Sequence, residues 1–221
     1  MTRKTTDGPA AGAWTWSRTA QTRRVLLQAA CEVFVEKGFA EAGVAAVVER
    51  AGSSVGSLYH HFGGKSELFL ALWQEYSDAQ EEVSRKAIAQ AQRAGVTDPL
   101  ALFSAGAKAY LEGCWQRREL AELFRTGDAP PSFSSLTRAG GCQWIGQIDS
   151  LHALTGKSSD RLYVTILTSL MREGAHEVAT AKNRRQATKV ISAVLEYVRR
   201  LMADGPWQQP AAPATAVVPA G

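Results

Sequence analysis

The chain has 221 residues, of which 45% are hydrophobic and 21% charged, as is usual for a globular protein with a sizeable core. Its 25 basic and 21 acidic residues leave a formal net charge of +4, which suits contact with a polyanion without establishing it. No run of 18 apolar residues occurs, and no apolar stretch follows the first basic residues as in a signal peptide. We therefore expect a cytoplasmic protein with no membrane partner.

The chain lacks the sequence signatures of an enzyme or a metalloprotein. Its three cysteines, Cys31, Cys114 and Cys142, contain no CxxC pair and suggest no tetrahedral metal set. No G-x-S-x-G, P-loop or H-E-x-x-H motif is found. His152 and His176 stand alone in helical patterns, where a structural role or a hydrogen bond to a bound small molecule is expected. We predict no catalytic residues, no metal site and no cofactor.

The first predicted helix begins near Thr22, which can cap it, and runs to about Lys37, before Gly38 stops it. Its apolar residues recur at spacings of three and four, so that one face is buried. They are Leu26, Ala29, Ala30, Val33 and Phe34. Residues 1–17 are predicted to form a flexible arm.

Two short helices joined by a tight turn follow. The first spans Val44 to Ala51 after Gly43, and Gly52 ends it as a glycine at the C′ position would. The second follows Ser54, whose hydroxyl can cap it, and its residues Leu58 and Phe62 point inward together because they lie four apart. This spacing is typical of a helix-turn-helix, whose second helix can enter a DNA major groove.

From about residue 22 to 72 the sequence resembles the TetR family of transcriptional regulators. The matching residues are Val25-Leu26, Ala29-Ala30, Phe34, Gly38-Phe39, Ala51-Gly52-Ser53-Ser54, Gly56, Leu58-Tyr59-His60-His61-Phe62, Lys65 and Leu68. The resemblance implies an all-α protein that binds a double-stranded DNA operator as a homodimer and responds to a small-molecule effector. It also implies DNA contacts at the positions of Ser57, Tyr59, His60 and Lys65.

The residues themselves extend this predicted DNA site. Ser54 caps a helix whose N-terminus favours a phosphate, and Gly56 lets backbone approach the groove closely. Val55 can touch a thymine methyl group. The predicted DNA-binding set is Ser54, Val55, Gly56, Ser57, Tyr59, His60 and Lys65.

The chain departs from the family at Gly43, where a threonine or serine is usual, and at Ser53, where valine is common. The lost hydroxyl at Gly43 removes a side-chain contact to phosphate. This keeps an alternative open, in which the chain is a helical ligand-binding or enzymatic protein that no longer binds DNA.

Helical patterns fill the rest of the chain to about residue 203. We predict helices from Lys65 to before Gly95, from Asp98-Pro99, and over 118–125, 134–154, 159–181 and 184–203. The predicted domains are a helix-turn-helix DNA-binding domain (18–64), a helical effector-binding and dimerisation domain (65–203) and a disordered Ala/Pro-rich tail (204–221).

The last two predicted helices are broadly apolar. The TetR resemblance implies that they form a four-helix interface between two subunits. The candidate interface residues are Leu167, Gly174, Val178, Val190, Val194 and Val198. The alternative is that these helices only complete the core of one chain.

Aromatic residues are numerous outside the DNA-binding part, and charges are sparse among them. Most are expected to be core residues, but several glycines in helical patterns indicate tight helix crossings or room for a ligand. We predict a hydrophobic or aromatic effector within the helical bundle. The candidate lining residues are Trp73, Phe103, Tyr110, Trp144 and Met171.

Overall fold

A computed structural model describes residues 11–125, 127–140 and 158–203 of the chain. These segments form nine α-helices and no strand, which confirms the predicted all-α fold with an N-terminal helix-turn-helix. None of the helices in these segments is both long and apolar enough to cross a bilayer.

The chain divides into two compact units by its internal contacts. The first unit comprises Met1–Tyr76 together with Leu123–Phe133, and the second comprises Ser77–Glu122 together with Ser134–Gly221. The predicted boundary after residue 64 coincides with the start of a helix, whereas packing extends the first unit further along that helix. A remote segment of eleven residues, Leu123–Phe133, therefore packs with the N-terminal helices.

The first helix, α1, spans Ala11–Glu41 and is interrupted at Gly38, whose φ of 75° and ψ of 173° are non-helical. The interruption at Gly38 is as predicted, but the predicted start at Thr22 is wrong by eleven residues. No glycine or proline lies between Ala13 and Lys37, so nothing in the backbone obliges a helix to begin at Thr22. Residues 11–17 of the predicted arm are thus helical.

Helices α2 (Val44–Arg50) and α3 (Val55–Phe62) follow at the predicted positions. Gly52 has a positive φ of 58° between them, as the predicted C′ glycine requires. The core of this unit is formed by apolar residues on the inner faces of the three helices, as their spacing predicts. These include Leu26, Ala29, Ala30, Val33, Phe34, Val47, Val48, Leu58 and Phe62.

Helix α4 (Lys65–Arg93) continues from the first unit into the second, where α5 (Pro99–Gln116) begins. The carboxylate of Asp98 accepts a hydrogen bond from the backbone N–H of Ala101 at 2.9 Å, and Pro99 occupies the first turn of α5. This cap was predicted from the Asp-Pro pair.

The remaining helices are α6 (Arg118–Leu123), α7 (Phe133–Gly140), α8 (Ser158–Ala179) and α9 (Arg184–Ala203). Their starts lie within one residue of the predicted ones. The predicted continuation of α7 to residue 154 lies outside the described residues. Helices α5, α8 and α9 pack together around one apolar cluster, which is the core of the second unit.

Two glycines allow close helix crossings in this core. A Cβ atom on Gly174 of α8 would lie 2.7 Å from Cγ2 of Val194 on α9, and one on Gly113 of α5 would collide with the amide of Gln80 on α4. A side chain at Gly174 would therefore push α8 and α9 apart, whereas one at Gly113 would displace the buried side chain of Gln80.

Candidate nucleic-acid interface

Helix α3 is delimited at both ends by specific caps. Ser54 has an extended backbone, and its Oγ accepts a hydrogen bond from the N–H of Ser57 at 3.1 Å. Gly63 adopts the left-handed conformation with φ of 91°, and its N–H donates to the carbonyl of Tyr59 at 2.9 Å. The predicted N-cap is confirmed, and the helix is held to eight residues.

The two faces of α3 differ sharply in exposure. Leu58 is fully buried and Phe62 is 9% exposed, so these two side chains anchor the helix to α1 and α2. Tyr59 is 53% exposed and Val55 47% exposed. Gly56 and His60 share this exposed face, and Ser57 is half-buried. Six of the seven predicted DNA-binding residues, Ser54, Val55, Gly56, Ser57, Tyr59 and His60, are therefore brought together on or beside one outward face of α3.

Lys65, the seventh predicted residue, is placed differently. Its Nζ donates a hydrogen bond to the carbonyl oxygen of Ala40 at 2.9 Å and lies 4.6 Å from the centre of the Phe39 ring. The ammonium group thus holds the first residue of α4 against the end of α1. Its predicted contact with DNA phosphate stays a prediction.

An ion pair links the end of α2 to α1. The guanidinium of Arg50 donates to both carboxylate oxygens of Glu36, at 2.7 and 2.9 Å. These hydrogen bonds from Arg50 hold the pKa of Glu36 below its usual value of 4.5. Both groups are solvent-exposed, so the pair contributes more to the orientation of α2 than to the free energy of unfolding.

Arg23 also lies at this site and was not among the residues predicted from the sequence. Its guanidinium carbon lies 4.5 Å from the centre of the Phe62 ring, so an exposed cation of α1 sits beside the end of α3. The signal that could have found it is the Arg23-Arg24 pair, which precedes the apolar stripe of α1 by two residues. A cation in this position adds a candidate phosphate contact.

Gly43 caps α2 through its backbone alone. Its carbonyl accepts hydrogen bonds from the N–H groups of Ala46 and Val47, at 3.1 and 3.4 Å, and no side-chain cap is made. No atom outside its immediate neighbours lies within 4 Å of the position that a Cβ would occupy. The departure from the family pattern therefore leaves the helix intact and removes only a hydroxyl.

The described members of the predicted effector set belong to both units. Trp73 is in the first unit, with its ring edge-on to Phe133 at 5.8 Å, whereas Phe103 and Met171 are fully buried in the core of the second unit. Tyr110 is half-buried against that core. Trp144 lies outside the described residues.

The predicted interface residues pack inside one chain. Leu167, Gly174, Val178, Val194 and Val198 are buried, and Val190 is half-buried against the same core. The apolar residues of α8 and α9 that suggested an interface are thus those that pack against α5 in the same chain. These side chains complete the core of one chain, which was the alternative interpretation. A contact between copies stays a prediction.

Other side chains of α8 and α9 are exposed and apolar. Leu162 and Ile166 lie one turn apart on α8, and Tyr197 on α9 is 55% exposed. Leu162 and Ile166 thus give α8 an exposed apolar surface, which is typical of a surface that another protein covers. Within the described segments, no three His, Cys, Asp or Glu residues are grouped as a metal site would need.

Comparison with known proteins finds similarities that include the helix-turn-helix. Residues 26–72 match the family described as bacterial regulatory proteins, tetR family. The HTH-type transcriptional repressor AcnR of Corynebacterium efficiens is 35% identical over 86 residues, which are 38% of this chain and 46% of AcnR. The HTH-type transcriptional activator FasR of Mycolicibacterium smegmatis is 47% identical over 58 residues, 26% of each chain.

The chain thus matches less than half of the length of each of these two relatives. A solved structure of a TetR-like transcriptional regulator from Rhodococcus sp. RHA1 covers more of the chain. It superposes with a TM-score of 0.62 at 22% identity, over 83% of this chain and 97% of that one. At this identity the likeness concerns the fold alone.

Proposed function

We propose that the chain is a transcriptional repressor of the tetR family of bacterial regulatory proteins, whose model its residues 26–72 match, and that it binds a palindromic DNA operator as a homodimer. A small hydrophobic or aromatic effector releases it. The single observation that carries this proposal is α3, which is capped at both ends and anchored by two buried side chains. Its opposite face presents Val55, Tyr59 and His60 to solvent.

The exposed face of α3 suits a major groove. The hydroxyl of Tyr59 and the ring nitrogens of His60 can hydrogen-bond to phosphates or base edges, and the Val55 methyl groups can contact a thymine methyl. Gly56 carries no side chain, so the groove edge can approach the backbone of the first turn. Arg23, held over Phe62, adds a positive charge on the same unit. Together these groups combine base readout with electrostatic attraction to phosphate.

A homodimer follows from the geometry of readout. One eight-residue helix contacts few base pairs, and two copies related by a twofold axis double the readout of a palindrome. The outward face of α8, with Leu162 and Ile166, supports an interface between copies better than the buried residues do. Its apolar side chains would lose contact with water in the dimer.

An effector site belongs to the second unit in this proposal. Ligand pockets are mostly apolar, with a few polar groups that orient the ligand. Gln80 and Ser84 are buried polar side chains of α4 within the second unit. The amide nitrogen of Gln80 lies 3.1 Å from the sulfur of Cys114 on α5. These polar groups, in the unit that also holds Tyr110 and Phe103, support a mainly apolar ligand with one or two hydrogen bonds.

The experiment that tests the DNA site compares two matched tyrosines. Tyr59 on α3 and Tyr197 on α9 are 53% and 55% exposed, so Tyr→Phe removes the same hydroxyl at each with little effect on folding. Fluorescence anisotropy would be measured with a labelled fragment from upstream of the chain's own gene. Tyr59→Phe should weaken binding several-fold, and Tyr197→Phe should leave it unchanged.

Salt provides the second readout of the same experiment. Wild-type affinity should fall linearly on a log–log plot against salt concentration, because each neutralised phosphate releases counterions. The alternative function, a helical protein that has lost DNA binding, predicts no specific binding by any variant at low salt. Equal affinity of the two tyrosine variants would remove Tyr59 from the site.

A further inference from the structure

The segment Leu123–Phe133 contacts the end of α1 through one acidic side chain. Both carboxylate oxygens of Asp128 accept from the backbone N–H of Ala40, at 2.9 and 3.1 Å. The two residues are 88 positions apart in sequence. We propose that Asp128 is a positioning residue for DNA binding, which fixes the backbone at Ala40 and thereby the helix-turn-helix. This inference rests on the proposed function.

Both backbone polar groups of Ala40 form hydrogen bonds with side chains. Its N–H donates to Asp128, and its carbonyl accepts from Nζ of Lys65 at 2.9 Å. Ala40 lies three residues before Gly43, which caps α2, and Lys65 lies two residues after Gly63, which ends α3. The hydrogen bond between Ala40 and Lys65 therefore joins the chain just before α2 to the chain just after α3. Asp128, which lies outside the helix-turn-helix in sequence, binds the same residue, Ala40.

Gly38 gives Asp128 access to this backbone. Its backbone φ is 75°, a value that residues other than glycine rarely adopt. A Cβ at this position would also collide with Oδ2 of Asp128. The kink turns the N–H of Ala40 away from the helical ladder of α1, where a carboxylate can accept it. The site thus combines a conformational requirement in α1 with an acceptor supplied by a remote segment.

An aromatic cluster holds the same segment in place. The ring of Phe39 lies 5.1 Å from that of Phe69, and the Phe69 ring lies 5.3 Å from each of Phe124 and Phe133. These edge-to-face contacts flank Asp128 in sequence on both sides. They fix the segment with its carboxylate directed at Ala40, so the polar contact is made at a defined place.

The chain connections of the segment could let the second unit influence the contact between Asp128 and Ala40. Leu123–Phe133 packs with the first unit, while the chain on either side, Glu122 and Ser134, belongs to the second unit. A rearrangement of the second unit that moves either end of the segment can therefore act on the bond at Ala40. Through the covalent chain, a change in the second unit would thus act on the Asp128–Ala40 hydrogen bond and so on the helix-turn-helix.

The test compares two aspartates that make the same bond in different places. Asp128→Ala removes the acceptor for Ala40, and Asp98→Ala removes the acceptor for Ala101 at the start of α5, also at 2.9 Å. Asp128→Asn keeps one carbonyl oxygen as an acceptor and serves as the rescue variant. Each full-length protein is titrated against a duplex selected by the wild type from a random library, well below its unfolding temperature.

We expect Asp128→Ala to bind the selected duplex about tenfold more weakly, the order of one charge-assisted hydrogen bond. Asp128→Asn should lie within about threefold of the wild type, because it replaces that bond by a neutral one. Asp98→Ala should bind as the wild type does. Hydrogen exchange at the amide of Ala40 should accelerate in Asp128→Ala and stay slow in Asp98→Ala.

Two outcomes would overturn the inference. If Asp128→Ala exchanges faster at Ala40 but binds DNA as the wild type does, the bond is structural only. If Asp128→Ala and Asp98→Ala lose the same affinity, the effect is a general loss of stability. A wild type that selects no duplex at all would instead refute the proposed function, so the two failures are distinguishable.

Discussion

The anchor of α3 predicts a separation between folding and DNA binding. Phe62 is 9% exposed, packs its ring under the guanidinium of Arg23, and with Leu58 provides the inward face of the helix. Truncating a buried phenylalanine to alanine costs about 3–5 kcal/mol. Because Phe62 keeps some exposure, we place the packing cost near the lower end of that range, about 3 kcal/mol.

Loss of the cation–π contact adds to that cost. An exposed pair of this kind contributes about 0.5–1 kcal/mol, which brings the total for Phe62→Ala to about 4 kcal/mol. Single domains unfold with about 5–15 kcal/mol, so the variant should lose about a quarter or more of the stability of such a domain. Tyr59→Phe, on the opposite face of α3, should change the unfolding free energy by less than about 0.5 kcal/mol.

The assay must report on the first unit alone, because a chain with two compact units need not unfold in a single step. Native-state hydrogen exchange of the α2 and α3 amides across a urea series does so. Phe62→Ala should lower the opening free energy of these amides by about 4 kcal/mol and leave α5 and α9 amides unchanged. A loss below about 1 kcal/mol would refute the packing argument, since it would show that Phe62 does not anchor the helix.

Three further predictions follow from the surface of the molecule. Ile166→Glu, at an exposed position of α8, should leave the fold intact and convert dimer to monomer in sedimentation velocity; a variant that stays dimeric would place the interface elsewhere. Gly43→Thr, which has free space around its new side chain, should tighten operator binding a few-fold in anisotropy titrations by adding a phosphate contact, and unchanged or weaker binding would contradict this. Glu36→Gln should make the Tm depend less on pH at acid pH. Arg50 lowers the pKa of Glu36 in the folded state, so the ionised carboxylate stabilises the fold above pH 4.5 and this stabilisation is lost as the pH falls below that value. A Tm that falls with pH as steeply in this variant as in the wild type would count against the pair.

The local features of the helix-turn-helix were predictable from sequence because they depend on near neighbours. Ser54 caps through a bond to a residue three positions away, and Leu58 and Phe62 share a face through helical spacing alone. The start of α1 was not predictable from Thr22, since a capping residue permits a helix to begin without requiring it. Here no breaker separates Thr22 from the turns before it.

Contacts between remote residues were not predictable from local sequence patterns. Nothing in the local pattern of Asp128, in a loop rich in glycine and proline, indicates that it accepts from Ala40. The same holds for Lys65, whose position in the motif suggests DNA and whose ammonium group contacts Ala40 in the structure. The broad apolar pattern of α9 likewise could not show that Val194 faces Gly174 in its own chain.

The most direct test of the central claim is selection of duplex DNA from a random library by the full-length protein, followed by titration of the enriched sequence. The account predicts enrichment of an inverted repeat, bound with an affinity that falls as salt rises and is weakened by His60→Ala. Enrichment of no sequence, or equal affinity for the selected duplex and a scrambled one, would contradict it.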